Sequence, residues 1–199
     1  MKTNVSQRTP EQKEFHRRLG RLKKQSGELS LIEAGAVLGA AALLSLALFY
    51  GVPFVRNMVQ SSTFKSEAGM FHTGIQNATA NDSDFSAETL ATLAQNHAFD
   101  AAGARVASDY STVTGIFGGQ VTAEPGTVTS SNDAIVTSYP VPKAVCSMSI
   151  SAVANIFTEV TVNGTVVASP STKFSSQTAG NACASGGDVA TVAMYTTRS

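Results

Sequence analysis

Gly27-Glu28-Leu29-Ser30-Leu31-Ile32-Glu33 joins two stretches of opposite character. Before it, residues 1–27 carry Lys2, Arg8, Lys13, Arg17, Arg18, Arg21, Lys23 and Lys24 against Glu11 and Glu14, a formal +6. After it, Ala34 to Val55 runs for 22 residues without one formal charge. As a helix rising about 1.5 Å per residue, that tract reaches roughly 33 Å, close to the roughly 30 Å hydrocarbon core of a bilayer. It can cross a membrane once, and the positive-inside tendency keeps the basic leader cytoplasmic and the C-terminal residues outside. From Glu28 on, six basic residues stand against twelve acidic ones, so the zero net charge of the 199-residue chain hides a +6 leader and a −6 remainder. No basic face is left for nucleic acid.

A secretory signal places its small-residue cleavage site after the apolar core. Here the order is inverted, because Gly27 and the polar junction come first. A cut between Gly27 and Glu28 removes the charges and leaves the anchor attached; a cut between Glu28 and Leu29 is the second choice. Glu33 needs a cause, since an acid at the mouth of an uncharged tract is costly to bury. On the residues alone it is either a carboxylate at headgroup level or a buried group that awaits a partner.

Ser30-Leu31-Ile32-Glu33 resembles the start of mature type IV pilins, particularly the type IVb group with its long leaders. The resemblance implies that a dedicated prepilin peptidase cuts after the glycine. It also implies that Glu33 pairs with the N-terminal amine of a neighbouring subunit and so sets the register of subunit addition. A carboxylate and an ammonium taken out of water are tolerable only as a pair. A cut after Gly27 makes Glu33 the sixth residue of the mature chain, whereas a cut after Glu28 restores the fifth position usual in the family. One residue turns the side chain by about 100° on a helix.

Downstream, Gly51 and Pro53 are poor residues for a helix interior, so a kink or melted turn is expected after Tyr50. From Arg56 to Gln76, Phe64, Ala68, Phe71 and Ile75 recur at helical spacing and predict an amphipathic half-helix that covers a core. Gly69 and Gly74 each weaken it by about 1 kcal/mol, so it depends on tertiary packing. The polar run from Asn77 to Asp84 ends it. Ser86 is the expected cap of a short helix that carries Leu90, Leu93 and Ala94. Residues 100–118 show no clear period. Strands are expected at Gln120 to Ala123, Ile135 to Tyr139, Glu159 to Val162, Thr165 to Ala168 and Val189 to Tyr195. Asn163-Gly164 between alternating Val and Thr predicts a two-residue type I′ hairpin. Cys146, Ile150, Val153 and Phe157 fall at helical spacing.

Ile116-Phe117-Gly118-Gly119-Gln120-Val121, Val141-Pro142-Lys143-Ala144-Val145-Cys146 and Val160-Thr161-Val162-Asn163-Gly164-Thr165 resemble segments of PilS-like major pilins. The fold class is then α+β, the type IV pilin fold. Its long N-terminal helix, half apolar and half amphipathic, packs on a small antiparallel sheet with a disulfide-bounded C-terminal region. Residues 1–27 form the removable leader, 28–55 the membrane and filament-core half of the helix, and 56–199 the periplasmic body. The expected partners are further copies of the chain, the prepilin peptidase and pilus assembly machinery of the inner membrane, and lipid before assembly. The expected locations are the bacterial inner membrane and then the extracellular pilus.

Cys146 and Cys183 lie in the segment placed outside the cytoplasm, where oxidation is favoured, and a disulfide is expected. Two free buried thiols are the alternative. A metal site is disfavoured, because two Cys and dispersed His do not supply a zinc ligand set. His16, His72 and His97 are read as structural or surface residues, not bases. No nucleophile elbow, phosphate loop or zinc-protease motif is present, so neither catalysis nor a cofactor is expected. The sequons at Asn4, Asn77, Asn81 and Asn163 need no glycosylation. Rival readings are a type II secretion pseudopilin, a minor pilin, and a single-pass anchored periplasmic binding domain that never polymerises.

Overall fold

The computed structural model describes residues 31–198, which fall into two units that meet at Val52 and Pro53. In the first unit, helix α1 spans Leu31–Leu46 and a π-helical turn spans Ala47–Gly51. Every side chain described from Gly35 to Phe49 is exposed. Near Gly51 and Pro53, where a kink or melted turn is expected, the backbone is a π turn that directly precedes helix α2, Val52–Ala78. Proline lacks an N–H and crowds the preceding turn, and a widened turn N-terminal to it relieves both demands.

In the body from Pro53 onward, α2 turns Phe64, Ala68, Phe71 and Ile75 inward, all fully buried. Gly74 is required there, because a Cβ at this position would lie 2.3 Å from the Ala98 carbonyl oxygen. Helix α3, Leu90–Gln95, is capped by Thr89, whose hydroxyl accepts from the Thr92 N–H while Thr92 accepts from the Thr89 N–H. This corrects the expected Ser86 cap: the helix begins only at Leu90, so the cap position falls on Thr89, and Ser86 lies three residues earlier in a turn where its N–H donates to the Asp84 carboxylate. A 3₁₀ segment, Asp100–Arg105, follows, and then six strands and two helices: β1 Val113–Thr114, β2 Gln120–Gly126, β3 Ala134–Pro142, α4 Lys143–Val153, β4 Glu159–Val162, β5 Thr165–Ala168, α5 Ser176–Ala184 and β6 Val189–Thr197.

The strands form one antiparallel sheet in the order β1-β2-β3-β6-β4-β5. In β6, Ala190, Val192, Met194 and Thr196 are buried and alternate with more exposed neighbours, the period-two pattern of a half-covered strand. Strand β3 runs three residues past the Tyr139 end read from the sequence, through two prolines. Thr191, opposite Pro140, spends its own N–H and C=O on Asn163, so its backbone points toward β4. In such a pair both backbones point away from each other, so the donor that Pro140 lacks would have faced the side where β2 pairing has already stopped at Ser138. The prolines therefore remove no ladder bond.

The predicted hairpin is present, with φ of 49° at Asn163 and 79° at Gly164. Helix α4 ends at Val153, and Phe157 is a core residue of the turn beyond it instead of a fourth helical position. Helix α5, capped by Ser175, has no counterpart in the sequence reading.

Candidate functional site

Two features of the described residues depart from what folding alone would give. One is an apolar surface without cover. In the first unit, Val37, Leu38, Leu43, Leu44, Leu48 and Phe49 are each at least 65% exposed. A helix that is apolar on all sides belongs inside a protein or a bilayer, not in water. Gly35, Gly39 and Ala40 to Ala42 leave room for close approach of another helix. Ser45 donates to the Ala41 carbonyl at 2.8 Å, so its hydroxyl demands no water. The stretch has the length and hydropathy to cross a membrane once.

Glu33 lies on the backbone of α1, near its N-terminal end. Gly27, Glu28 and Leu29, the two alternative cleavage bonds, lie outside the described residues, as does His16. Gly51 closes the π turn and Pro53 stands in the first turn of α2. Cys146 and Cys183 form a disulfide, with their Cα atoms 5.9 Å apart. It ties α4 to α5 behind the hairpin, and Asn163 supports the same junction: its side-chain amide donates to the Ala182 carbonyl at 2.8 Å.

The second feature is a buried polar cluster that no sequence signal announced. Glu67, 4% exposed on α2, accepts from the Tyr139 hydroxyl at 2.6 Å and from Arg105 Nη1 at 3.2 Å, and pairs with Arg105 Nη2. Arg105 Nη1 also donates to the Thr114 carbonyl at 2.7 Å, and the Tyr139 oxygen accepts from the Ile116 N–H. The cluster thus pins segment 105–116 to both helix and sheet. Burial, reinforced by the bond to Glu67, holds the Tyr139 phenol far above its ordinary range. The bond to Glu67 likewise raises the Arg105 guanidinium. Both charges of the cluster are paired with each other. Its chemistry is that of a latch.

The histidines are similarly occupied. His72 Nδ1 sits 3.1 Å from the Thr196 hydroxyl, with its ring edge-on to Phe157, and burial lowers its pKa. His97 is an exposed left-handed residue beyond α3, paired with Asp100 at 3.1 Å. Among the described residues no group of three or more His, Cys, Asp or Glu could hold a metal ion.

The family model described as PilS N terminal matches residues 58–197. A type IVb pilin from Salmonella typhi has a similar structure, with a TM-score of 0.50 and 17% identity, over 71% of this chain and 99% of that one. TcpA, a type IV pilin from Vibrio cholerae El Tor biotype, gives a TM-score of 0.49 and 14% identity over 68% and 98% of the two chains. At these identities the likeness concerns the fold. No curated protein matches the sequence.

Proposed function

Because the chain belongs to the PilS family of type IV pilins, we propose that it is the major subunit of a type IVb pilus, made as a membrane-anchored prepilin. In this reading a prepilin peptidase removes residues 1–27 at the Gly27–Glu28 bond, and the subunit then polymerises through its N-terminal helix. The observation that carries the proposal is the fully exposed apolar helix from Gly35 to Phe49, attached to a body with a complete core of its own. Such a helix needs two successive environments, lipid before assembly and its own copies afterwards. Moving between them costs little, because lipid chains and helix faces are both apolar and close packing supplies the difference.

Glu33 supplies register. In lipid its carboxylate sits near the headgroups; in the fibre it pairs with the new N-terminal amine of a neighbour. The leader stays cytoplasmic, the body is periplasmic, and the product is an extracellular fibre. The subunit is structural, and its partners are its own copies and the inner-membrane assembly machinery.

Two measurements test this. Mass spectrometry of the mature protein is expected to find Glu28 at the N-terminus; an intact Met1 would sink the proposal. Glu33→Ala is expected to leave membrane insertion intact and to abolish or strongly reduce fibres seen by electron microscopy. Normal fibres from that variant would remove the register role while leaving the pilin assignment standing.

A further inference from the structure

Asn163-Gly164 is the only Asn-Gly pair in the chain. A glycine leaves its own peptide nitrogen unshielded by a side chain, so the asparagine before it can react with that nitrogen. The Gly164 nitrogen attacks Asn163 Cγ and a new C–N bond forms; the bond to Nδ2 breaks, and ammonia leaves with the proton that Gly164 carried. Water then opens the cyclic imide at either carbonyl, giving aspartate or isoaspartate. One water is taken up and one ammonia released, with no oxidant or reductant. Asn163 and Gly164 are both exposed, so water reaches the pair.

The attack requires the side chain to swing back over the peptide that follows it, and the fold holds it away. Nδ2 donates to the Ala182 carbonyl at 2.8 Å, and Oδ1 accepts from the Thr191 N–H at 2.9 Å, so α5 and β6 each grip one end of the amide. The Asn163 N–H donates to the Thr191 carbonyl at 2.9 Å, which fixes the backbone of the turn as well. Gly186 closes over the same group: a Cβ there would collide with Nδ2, Cγ and Oδ1 of Asn163. The fastening of this socket is covalent. Cys183, beside Ala182, is the residue tied to Cys146, and α5 otherwise buries only Ala179 and Ala182.

We propose that Asn163 is a latent deamidation site, kept unreactive by its socket between α5 and β6, which the Cys146–Cys183 bond holds shut. Nothing in this chemistry depends on whether the chain builds a fibre. Once the reaction has run, the socket does not close again. An aspartate at 163 has no donor for the Ala182 carbonyl, and it sets a negative charge among the carbonyls that end α5, the pole where the helix dipole disfavours it. An isoaspartate adds a methylene to the main chain of a turn whose geometry depends on two residues.

Peptide mapping by mass spectrometry, on the detergent-solubilised full chain incubated at mildly alkaline pH, tests the site. Wild type with its disulfide intact is expected to keep Asn163, and the same chain reduced and unfolded in urea to lose it at least about tenfold faster. Equal rates in the two states overturn the protection, and no reaction in either overturns the site. Gly186→Ala separates the socket from general unfolding, because its Cβ evicts the Asn163 amide while the disulfide and a cooperative urea transition remain. That variant, oxidised and in native buffer, is expected to deamidate about tenfold faster than wild type; a variant as inert as wild type overturns the proposal. In the double substitution Cys146→Ser and Cys183→Ser, also in native buffer, the rate is expected to lie between those of the folded and unfolded wild type. A wild-type rate there overturns closure by the disulfide.

Discussion

The helix up to Val52 and the body from Pro53 spend the same kinds of side chain in opposite ways. Phe49 and Leu44 are 78% and 66% exposed, whereas Phe64 and Phe71 are fully buried. Phe71 stacks edge-on with Phe99 and Phe64 with Tyr139, so each contributes both burial and ring geometry. The first region is finished by whatever surrounds it; the second is finished by its own chain. Removing a large side chain should therefore register in different assays. Phe71→Ala is expected to cost the body about 3–5 kcal/mol in urea unfolding of the detergent-solubilised chain, and Phe49→Ala to leave that midpoint in place. An equal shift from both would show that the two regions are one cooperative unit.

A smaller effect is expected at the disulfide, the body's one covalent tie. The bond closes a sequence separation of 37 residues and joins α4 to α5. In the loop-entropy account it stabilises by about 4 kcal/mol, commonly less in practice. The double substitution Cys146→Ser and Cys183→Ser should lower the unfolding midpoint of the body. Amide exchange should speed up first in α5 and at the hairpin, where Asn163 leans on Ala182. Uniform exchange across the sheet would mean that the bond supports the whole body and not this corner.

Next is the latch. Tyr139→Phe removes the hydroxyl that joins Glu67 to the Ile116 N–H and leaves both with one bond fewer. A loss of about 1–3 kcal/mol is expected, together with faster exchange through residues 105–116. Unchanged exchange there would show that the Arg105 pair alone holds the segment.

Legibility in the sequence divides along the same line. Period-two runs of Val and Thr marked the strands, and Asn163-Gly164 marked the hairpin, because local backbone preference decides both. Phe64, Ala68, Phe71 and Ile75 gave the buried face of α2, since packing repeats with the helix. The latch left no such trace. Glu67 reads as an ordinary helix acid until Arg105 and Tyr139, 38 and 72 residues away, arrive beside it. Helix α5 was missed because Ser176–Ala184 is small and polar, with only Ala179, Ala182 and Cys183 buried; its position is set by the disulfide more than by propensity. In β3 the prolines concealed three residues of strand, and only the pairing partner reveals that their missing donors face away from β6, on the side where pairing with β2 has stopped.

The smallest expected effect concerns pH and again separates body from helix, since the Gly35–Phe49 surface has no group that titrates. His72 is half-buried between the Thr196 hydroxyl and the Phe157 ring, with no acid among its contacts, and burial lowers its pKa below the ordinary 6.5. A histidine depressed in the fold binds its proton more readily when unfolded. The stability it contributes is thus present above the ordinary histidine range and lost as pH falls through that range toward the folded value. Asp133 adds no slope in this window. Burial opposes its charge, but bonds from Thr129, Val128 and Ser130 outweigh that and hold its carboxyl far below the ordinary range, so its contribution is intact above the ordinary carboxylate range and is lost only as pH falls through and below that range. The body should therefore soften modestly between neutral and mildly acidic pH, and His72→Gln, which keeps a polar group near Thr196, should flatten that slope. A slope unchanged in His72→Gln would show that His72 does not carry the acid sensitivity.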